Sequence, residues 1–240
     1  MAVLEFLEAN GKSLPSEIIE GLKIPKSSAY NLLDEMQRHG LLTQGSDGRY
    51  QLWMRLIVLG EGASNQLDIR EHARRHLQRL MDETGMLCHL GIMDGNAAYY
   101  ILKVESSSSI RVHSYEGKQL TLHRSSVGKC LLAWQPEDAV ERLLPTLDYA
   151  PATPTSITSP AQLRQELTRI KAQGWSFDDS EDVENIRCVA APVFGPRHMI
   201  LAAISMVGTS QQITDDVLPG FVEKTKACAA AISAEFGCEP

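Results

Sequence analysis

Apolar residues in the N-terminal quarter of the chain recur three or four positions apart, the period of helices with one buried face. Val3, Leu4, Phe6 and Leu7 make the first group, and Asn10-Gly11 stops it. Ser13-Leu14-Pro15-Ser16-Glu17 opens a second helix with proline in its first turn, and Ile18, Ile19 and Leu22 supply its apolar face. After the turn Lys23-Ile24-Pro25, a third helix is predicted from about Lys26 to His39. Ala29, Leu32, Leu33 and Met36 are its buried stripe and Gly40 its cap. Two short stretches, Leu41 to Thr43 and Arg49 to Leu52, flank Asp47-Gly48, a hairpin cue. Helix, helix, turn, helix, hairpin is the order of a winged helix-turn-helix.

Residues 53–85 read as helix in two pieces, with Gly60 and Gly62 punctuating the first. The second carries Ile69, Ala73, Leu77, Leu80 and Met81 on one face. From residue 86 the period shortens to that of strands. Met86 to Met93 and Ala97 to Val104 form a hairpin around Asp94-Gly95-Asn96, and Ser106 to Ser109 is a polar loop. Ile110 to Leu122 predicts a strand pair around Glu116-Gly117. Helices are expected from Ser125 to Trp134, from Pro136 to about Leu144, from Leu163 to Gln173 and from Asp215 to Phe236. Residues 145–160, with four prolines, form a connection. Trp175 to Phe177, Arg187 to Phe194 and Ile200 to Val207 complete the strands. The fold class is α+β, with domains at 1–58 (winged helix-turn-helix), 59–80 (linker helix) and 81–240 (α/β domain).

The chain has 240 residues, 43% of them hydrophobic and 22% charged, which suits a globular protein and excludes a disordered or collagenous one. The first 15 residues contain two glutamates and no basic region, so no signal peptide is expected. The longest clean apolar stretch, Met199 to Gly208, is too short for a membrane span. Five scattered cysteines (Cys88, Cys130, Cys188, Cys228, Cys238) make no C-x-x-C pair, which fits a reduced cytoplasmic protein. The net charge of −7 does not point to nucleic acid, and the first 60 residues hold six basic and seven acidic groups. Placement is the informative feature. The stripe of the third helix leaves Lys26, Ser27, Ser28, Tyr30 and Asn31 outward at its N-terminal end. Hydroxyls and helix amides bind phosphate, Asn reads adenine and Lys neutralises the backbone. Arg49, near the hairpin tip, can reach flanking DNA. A protein-contact module is the alternative use of such a unit.

In the second domain, Ser125-Ser126-Val127-Gly128-Lys129 sits between a strand and a helix, as an anion-binding helix start or an ordinary serine cap. The run Asp178-Asp179-Ser180-Glu181-Asp182 lacks the glycine and terminal glutamate of a calcium loop and reads as a solvated loop. Cys188 opens an apolar strand, as a buried structural thiol or as a nucleophile served by His89, His113 or His123. His72 and His76 are four apart on a helix but lack a third metal ligand nearby, and read as surface residues.

Three segments carry a family resemblance. LPSEIIEGLKIPKSSAYNLLDEMQRHGLL resembles the helix-turn-helix of the IclR family of bacterial transcription regulators. GKQLTLHRSSVGKCLLA and GWSFDDSEDVENIRCVAAPVF…AAISMVG resemble two signatures of its C-terminal domain. The resemblance covers about residues 3–236. It implies a sensor domain similar to a GAF domain, with Asp178, Cys188 and Ser205 lining an effector pocket and the amides of Ser126 and Val127 receiving a carboxylate. Asn185 stands where the family has glycine, Ser180 where it has an acid, and Val207 where keto-acid sensors carry a second serine. The chain starts inside the first helix, which suggests missing N-terminal residues.

The expected function is therefore a DNA-binding regulator, a repressor of a catabolic operon. Its partners are double-stranded operator DNA, a small carboxylate or sugar-acid effector, and copies of itself in a homodimer or homotetramer. No cofactor, metal site, catalytic residue or membrane partner is expected. The alternative is a small-molecule-binding or thiol-dependent enzyme with an N-terminal protein-interaction module.

Overall fold

The computed structural model describes residues 1–64, 68–105 and 112–238. It divides into two compact units, Met1–Asp68 and Ile69–Pro240.

The first unit runs α1 (Ala2–Asn10), α2 (Pro15–Leu22), α3 (Lys26–Arg38), β1 (Leu42–Gln44), β2 (Tyr50–Leu52) and α4 (Met54–Ser64). Val3, Leu7, Ile18, Leu33, Met36, Leu42 and Tyr50 form its core. β1 and β2 pair antiparallel, and Ser13 bridges to Tyr50 as a third short edge. Leu32 departs from the expected stripe. Ala29, Leu33 and Met36 are buried, but Leu32 is 43% exposed. At 3.6 residues per turn the three buried positions fall within a narrow arc, and Leu32 lies on its flank. Helix α4 continues through Gly60 and Gly62, and exposes Met54, Ile57, Val58 and Leu59 beside Trp53.

The second unit is built on a six-stranded antiparallel sheet of order β5-β4-β3-β8-β7-β6. Its strands are β3 (Leu87–Asp94), β4 (Ala97–Val104), β5 (Gln119–Leu120), β6 (Ser176–Asp179), β7 (Ile186–Phe194) and β8 (Ile200–Thr209). Helices α5 (Ile69–Thr84) and α9 (Leu218–Glu235) cover one face, where Ala73, Leu77, Ala229 and Ile232 meet Leu90, Leu102, Val193 and Met206. Helices α6 (Ser126–Ala133), α7 (Glu137–Leu143) and α8 (Pro160–Gln173) pack on the other. Covered on both sides, the middles of β7 and β8 are continuous buried runs, Cys188 to Val193 and Ala202 to Val207.

Of the strand pair expected over Ile110 to Leu122, only β5 is a strand among the described residues. Residues 106–111, with the expected loop at Ser106 to Ser109, lie outside them. Helix α8 starts at Pro160 rather than Leu163, because the Ser159 side chain caps it by accepting from the Gln162 amide. The histidines expected to lack a third partner have one. Glu235 of α9 meets His72 Nδ1 at 3.0 Å and His76 Nε2 at 2.7 Å. Among the described residues no group of three has metal-binding geometry, and no helix is long and apolar enough to cross a membrane.

Candidate functional site

Lys26, Ser27, Ser28, Tyr30 and Asn31 are all exposed on the first two turns of α3. No side chain caps this helix start, which follows Pro25, so its first amides remain open to an anion. The acids of the same helix are spent locally: Arg38 pairs with Asp34 at 2.9 Å and with Glu35 at 2.6 Å. Arg49 is engaged within its own unit. Its Nη1 donates to Glu17 Oε2 at 2.8 Å and to the Lys12 carbonyl at 3.3 Å, tying the hairpin to α2.

In the second unit a cavity of about 670 Å³ opens beside the start of α6. Ser126, Asp178 and Cys188 all line it. Local backbone chemistry puts them there. Asp178 and Cys188 are register partners on β6 and β7, so their side chains share a face. The Ser125 hydroxyl caps α6 by accepting from the Gly128 amide, while its own proton goes to the Thr121 carbonyl. Among the described residues, the first-turn amides of Ser126 and Val127 have no partner. Gly128 is required by crowding, since a Cβ there would stand 2.3 Å from the Thr121 carbonyl oxygen.

The acidic run is half interior rather than solvated. Asp178 and Glu181 are buried, and Asp178 Oδ1 accepts from the Glu181 amide at 2.7 Å. Burial pushes the Asp178 carboxyl up to about 7, against the smaller opposing pull of that amide. Asp182 Oδ1 accepts from Thr121 and Arg124, at 3.0 and 3.2 Å. The loop turns through Ser180 and Asn185 at φ 59° and 61°. That left-handed backbone suits the glycine of the family pattern, and Asn tolerates it better than most residues.

Cys188 is buried, which pushes its thiol well up, and the neighbouring Asp178 pushes it further. Val127 and Ser205 do not reach the cavity with their side chains. Val127 packs in the core over Gly91, where a Cβ would meet its Cγ1 at 2.6 Å, and only its amide faces the helix start. Ser205 is fully buried on β8, in register with His89 of β3. The cavity also gains residues that spacing did not point to as ligands: His89, Tyr100, Ser114, Arg124 and Asp182. Arg124 and Asp182 stand inside the two signature segments, but their pairing across 58 positions is visible only in the fold.

The family profile described as "Bacterial transcriptional regulator IclR C-terminal" matches residues 62–234, and that of the "IclR helix-turn-helix domain" matches residues 1–46. The chain is 48% identical over 235 residues to the uncharacterized HTH-type transcriptional regulator RhmR of Escherichia coli, covering 98% of this chain and 90% of that protein. It is 28% identical over 241 residues to the transcriptional repressor IclR of Escherichia coli, covering 99% and 88%. Among solved structures, Thermotoga maritima IclR aligns with a TM-score of 0.69 and 31% identity, over 98% of this chain and 96% of that one.

Proposed function

The chain belongs to the IclR family of bacterial transcriptional regulators, and from that membership we propose that it is a cytoplasmic repressor of a catabolic operon, released or retained by a small organic acid. Recognition falls to the exposed first turns of α3. Lys26, Ser27 and Ser28 take phosphates, while Tyr30 and Asn31 face base edges. Arg49 contributes through the hairpin it braces. The acid's carboxylate lies against the Ser126 and Val127 amides, with Asp178 and Cys188 beside it and Ser205 behind the wall.

The observation that carries this reading is the meeting of Ser126, Asp178 and Cys188 at one cavity, over an uncapped pair of helix amides. Charge-assisted hydrogen bonds of roughly 1.5–3 kcal/mol each make that pair a carboxylate receptor. The exposed apolar residues of α4 (Met54, Ile57, Val58) and the adjoining Trp53 support self-association as a homodimer or homotetramer. Two α3 helices would then read half-sites about 34–36 Å apart. The acid controls operator affinity to the extent that it binds the DNA-competent and incompetent arrangements differently, by roughly 1–3 kcal/mol. A thiol-dependent enzyme is disfavoured, because a nucleophilic cysteine needs a lowered pKa and Cys188 has a raised one.

The test is a gel shift on DNA upstream of the protein's own gene, joined to thermal shifts with small carboxylates and sugar acids. Lys26, Ser28 and Asn31 changed together to Ala should abolish retention and keep the melting shift. Asp178→Ala should do the reverse. Turnover of the acid, lost in Cys188→Ser, would overturn the reading.

A further inference from the structure

A second cavity, of about 810 Å³, lies between α8 and the segment 155–157. It shares no lining residue with the cavity at the start of α6. Gln165, Thr168 and Ala172 of α8 are its exposed wall. Ser156 and Glu181, each 9% exposed, are its buried one. Glu181 Oε2 is buried and has no hydrogen-bond partner among the described residues. An unpaired oxygen on a buried carboxylate is costly, so this one needs an explanation.

The surroundings fix the residue but leave that oxygen unmatched. The Glu181 amide donates to Asp178 Oδ1, and its carbonyl accepts from the Ser156 hydroxyl, both at 2.7 Å. Oε1 takes Lys129 Nζ at 2.5 Å. Ser156 Oγ has no donor left for the carboxylate, since its one proton goes to that carbonyl, and it accepts from the Ala152 and Thr153 amides. Glu166, the other acid of the cavity, has both oxygens met. Arg169 reaches Oε1 and Oε2 at 3.0 and 2.9 Å, and Lys129 adds a contact to Oε1 at 3.3 Å.

The charge count explains which partner the oxygen lacks. Glu166 and Glu181 share the buried ammonium of Lys129. Arg169 offsets Glu166 from outside, where its side chain is 57% exposed and solvent screens it. The buried side is therefore short of positive charge, and Glu181 Oε2 is the acceptor left for it. A metal ion does not suit the place. Hard cations take about six to eight oxygens, and among the described residues no group of three His, Cys, Asp or Glu can hold one. An ammonium needs a single strong acceptor for one of its three donors. The volume admits an organic body, and Ile157 and Ala172 offer it apolar contact.

We propose that the groove beside α8 is a second ligand site, for a small primary amine whose ammonium hydrogen-bonds Glu181 Oε2. It stands whatever fills the cavity at the start of α6.

The test titrates the full chain calorimetrically with butylamine, ethanolamine and putrescine, and with butanol and ethylene glycol as uncharged matches. At least one amine should bind roughly tenfold or more tighter than its match, because a charge-assisted hydrogen bond is about twice as strong as a neutral one. Glu181→Gln keeps the shape but removes the charge, and should bring amine and match close together. Ala172→Trp fills the groove from its exposed wall, and should weaken amine binding while the protein melts as wild type does. Equal binding of amines and matches by wild type, or amine binding that survives both substitutions, overturns the site. Failure of every amine to bind the wild type overturns it as well, and assigns the oxygen a proton or a water.

Discussion

Lys129 Nζ lies 2.5 Å from Glu181 Oε1, and the lysine side chain is fully buried. Glu181 in turn donates its amide to Asp178 Oδ1, so the ion pair joins α6 to the loop that aims Asp178. Glu166 stands 3.3 Å from the same ammonium but also has Arg169, whereas Glu181 depends on Lys129. Burial pushes the Glu181 carboxyl up and Lys129 opposes that rise.

Replacing Lys129 by Met should therefore leave an uncompensated carboxylate in the interior. The expected loss is about 3–5 kcal/mol in denaturant unfolding of the second unit. Adding Glu181→Leu removes the stranded charge and should recover most of the loss. A single variant within experimental error of wild type would mean that the pair holds nothing together.

Asp178 gives ligand binding a pH dependence of definite sign. Its carboxyl titrates near 7 in the folded protein because of burial, so the folded state keeps a proton that the unfolded chain gives up near pH 4. That term favours folding at low pH and fades as pH rises toward 7. Above 7 the ionised carboxylate also repels the bound acid. Affinity for the best-binding acid should then fall between about pH 6 and pH 8, by at most tenfold per unit. Asp178→Asn should bind with a flat profile over the same interval. A wild-type affinity that rises with pH would show that Asp178 binds its ligand as the anion.

Local pattern carried the architecture in the sequence, because the elements bury one or both faces by simple periodicity. The runs at β7 and β8 are apolar because helices cover both sides, and the α5 stripe packs as its spacing required. Leu32 shows the limit: its spacing fits the stripe but its angle falls on the flank. The cavity was legible where motif and backbone coincide, at Ser126, Asp178 and Cys188. It was not legible where a residue gains meaning from a distant partner. His89 reads only as a candidate base for Cys188, and its register with Ser205 waits on β8. Lys129 reads only as part of a helix start until Glu181 arrives from 52 positions away.

The two faces of DNA recognition separate by measurement. Asn31→Ala should cost about 1–3 kcal/mol of operator affinity and relax preference at a single base pair. Lys26→Ala should weaken all sequences alike and reduce the salt slope by about one. Arg49→Ala differs from both, because the guanidinium holds Glu17 and the Lys12 carbonyl. Its first effect should be a loss of up to about 1 kcal/mol in stability of the N-terminal unit. Wild-type operator retention by Asn31→Ala would remove α3 from the groove.

Glu235 joins the two helices on the other face of the sheet. Its carboxylate takes Arg75 at 2.5 Å, His76 at 2.7 Å and His72 at 3.0 Å, all from α5. Hydrogen bonds from Arg75 first, then His76 and His72, hold its pKa down at about 2. A depressed carboxyl stabilises the fold above its unfolded pKa of about 4.3 and loses that contribution as pH falls toward 2. The carboxylate is about a quarter exposed, so solvent screening reduces its worth to about 1–2 kcal/mol. Glu235→Gln should be less stable than wild type by that amount at neutral pH. The gap should narrow below about pH 4.5 and close near pH 2, where the wild-type group is protonated as well. Hydrogen exchange locates the effect, because faster exchange should be confined to α5 and α9. A gap that stays constant on acidification would assign the loss to packing around Phe236, whose ring meets His72 edge-on at 5.4 Å, and not to charge.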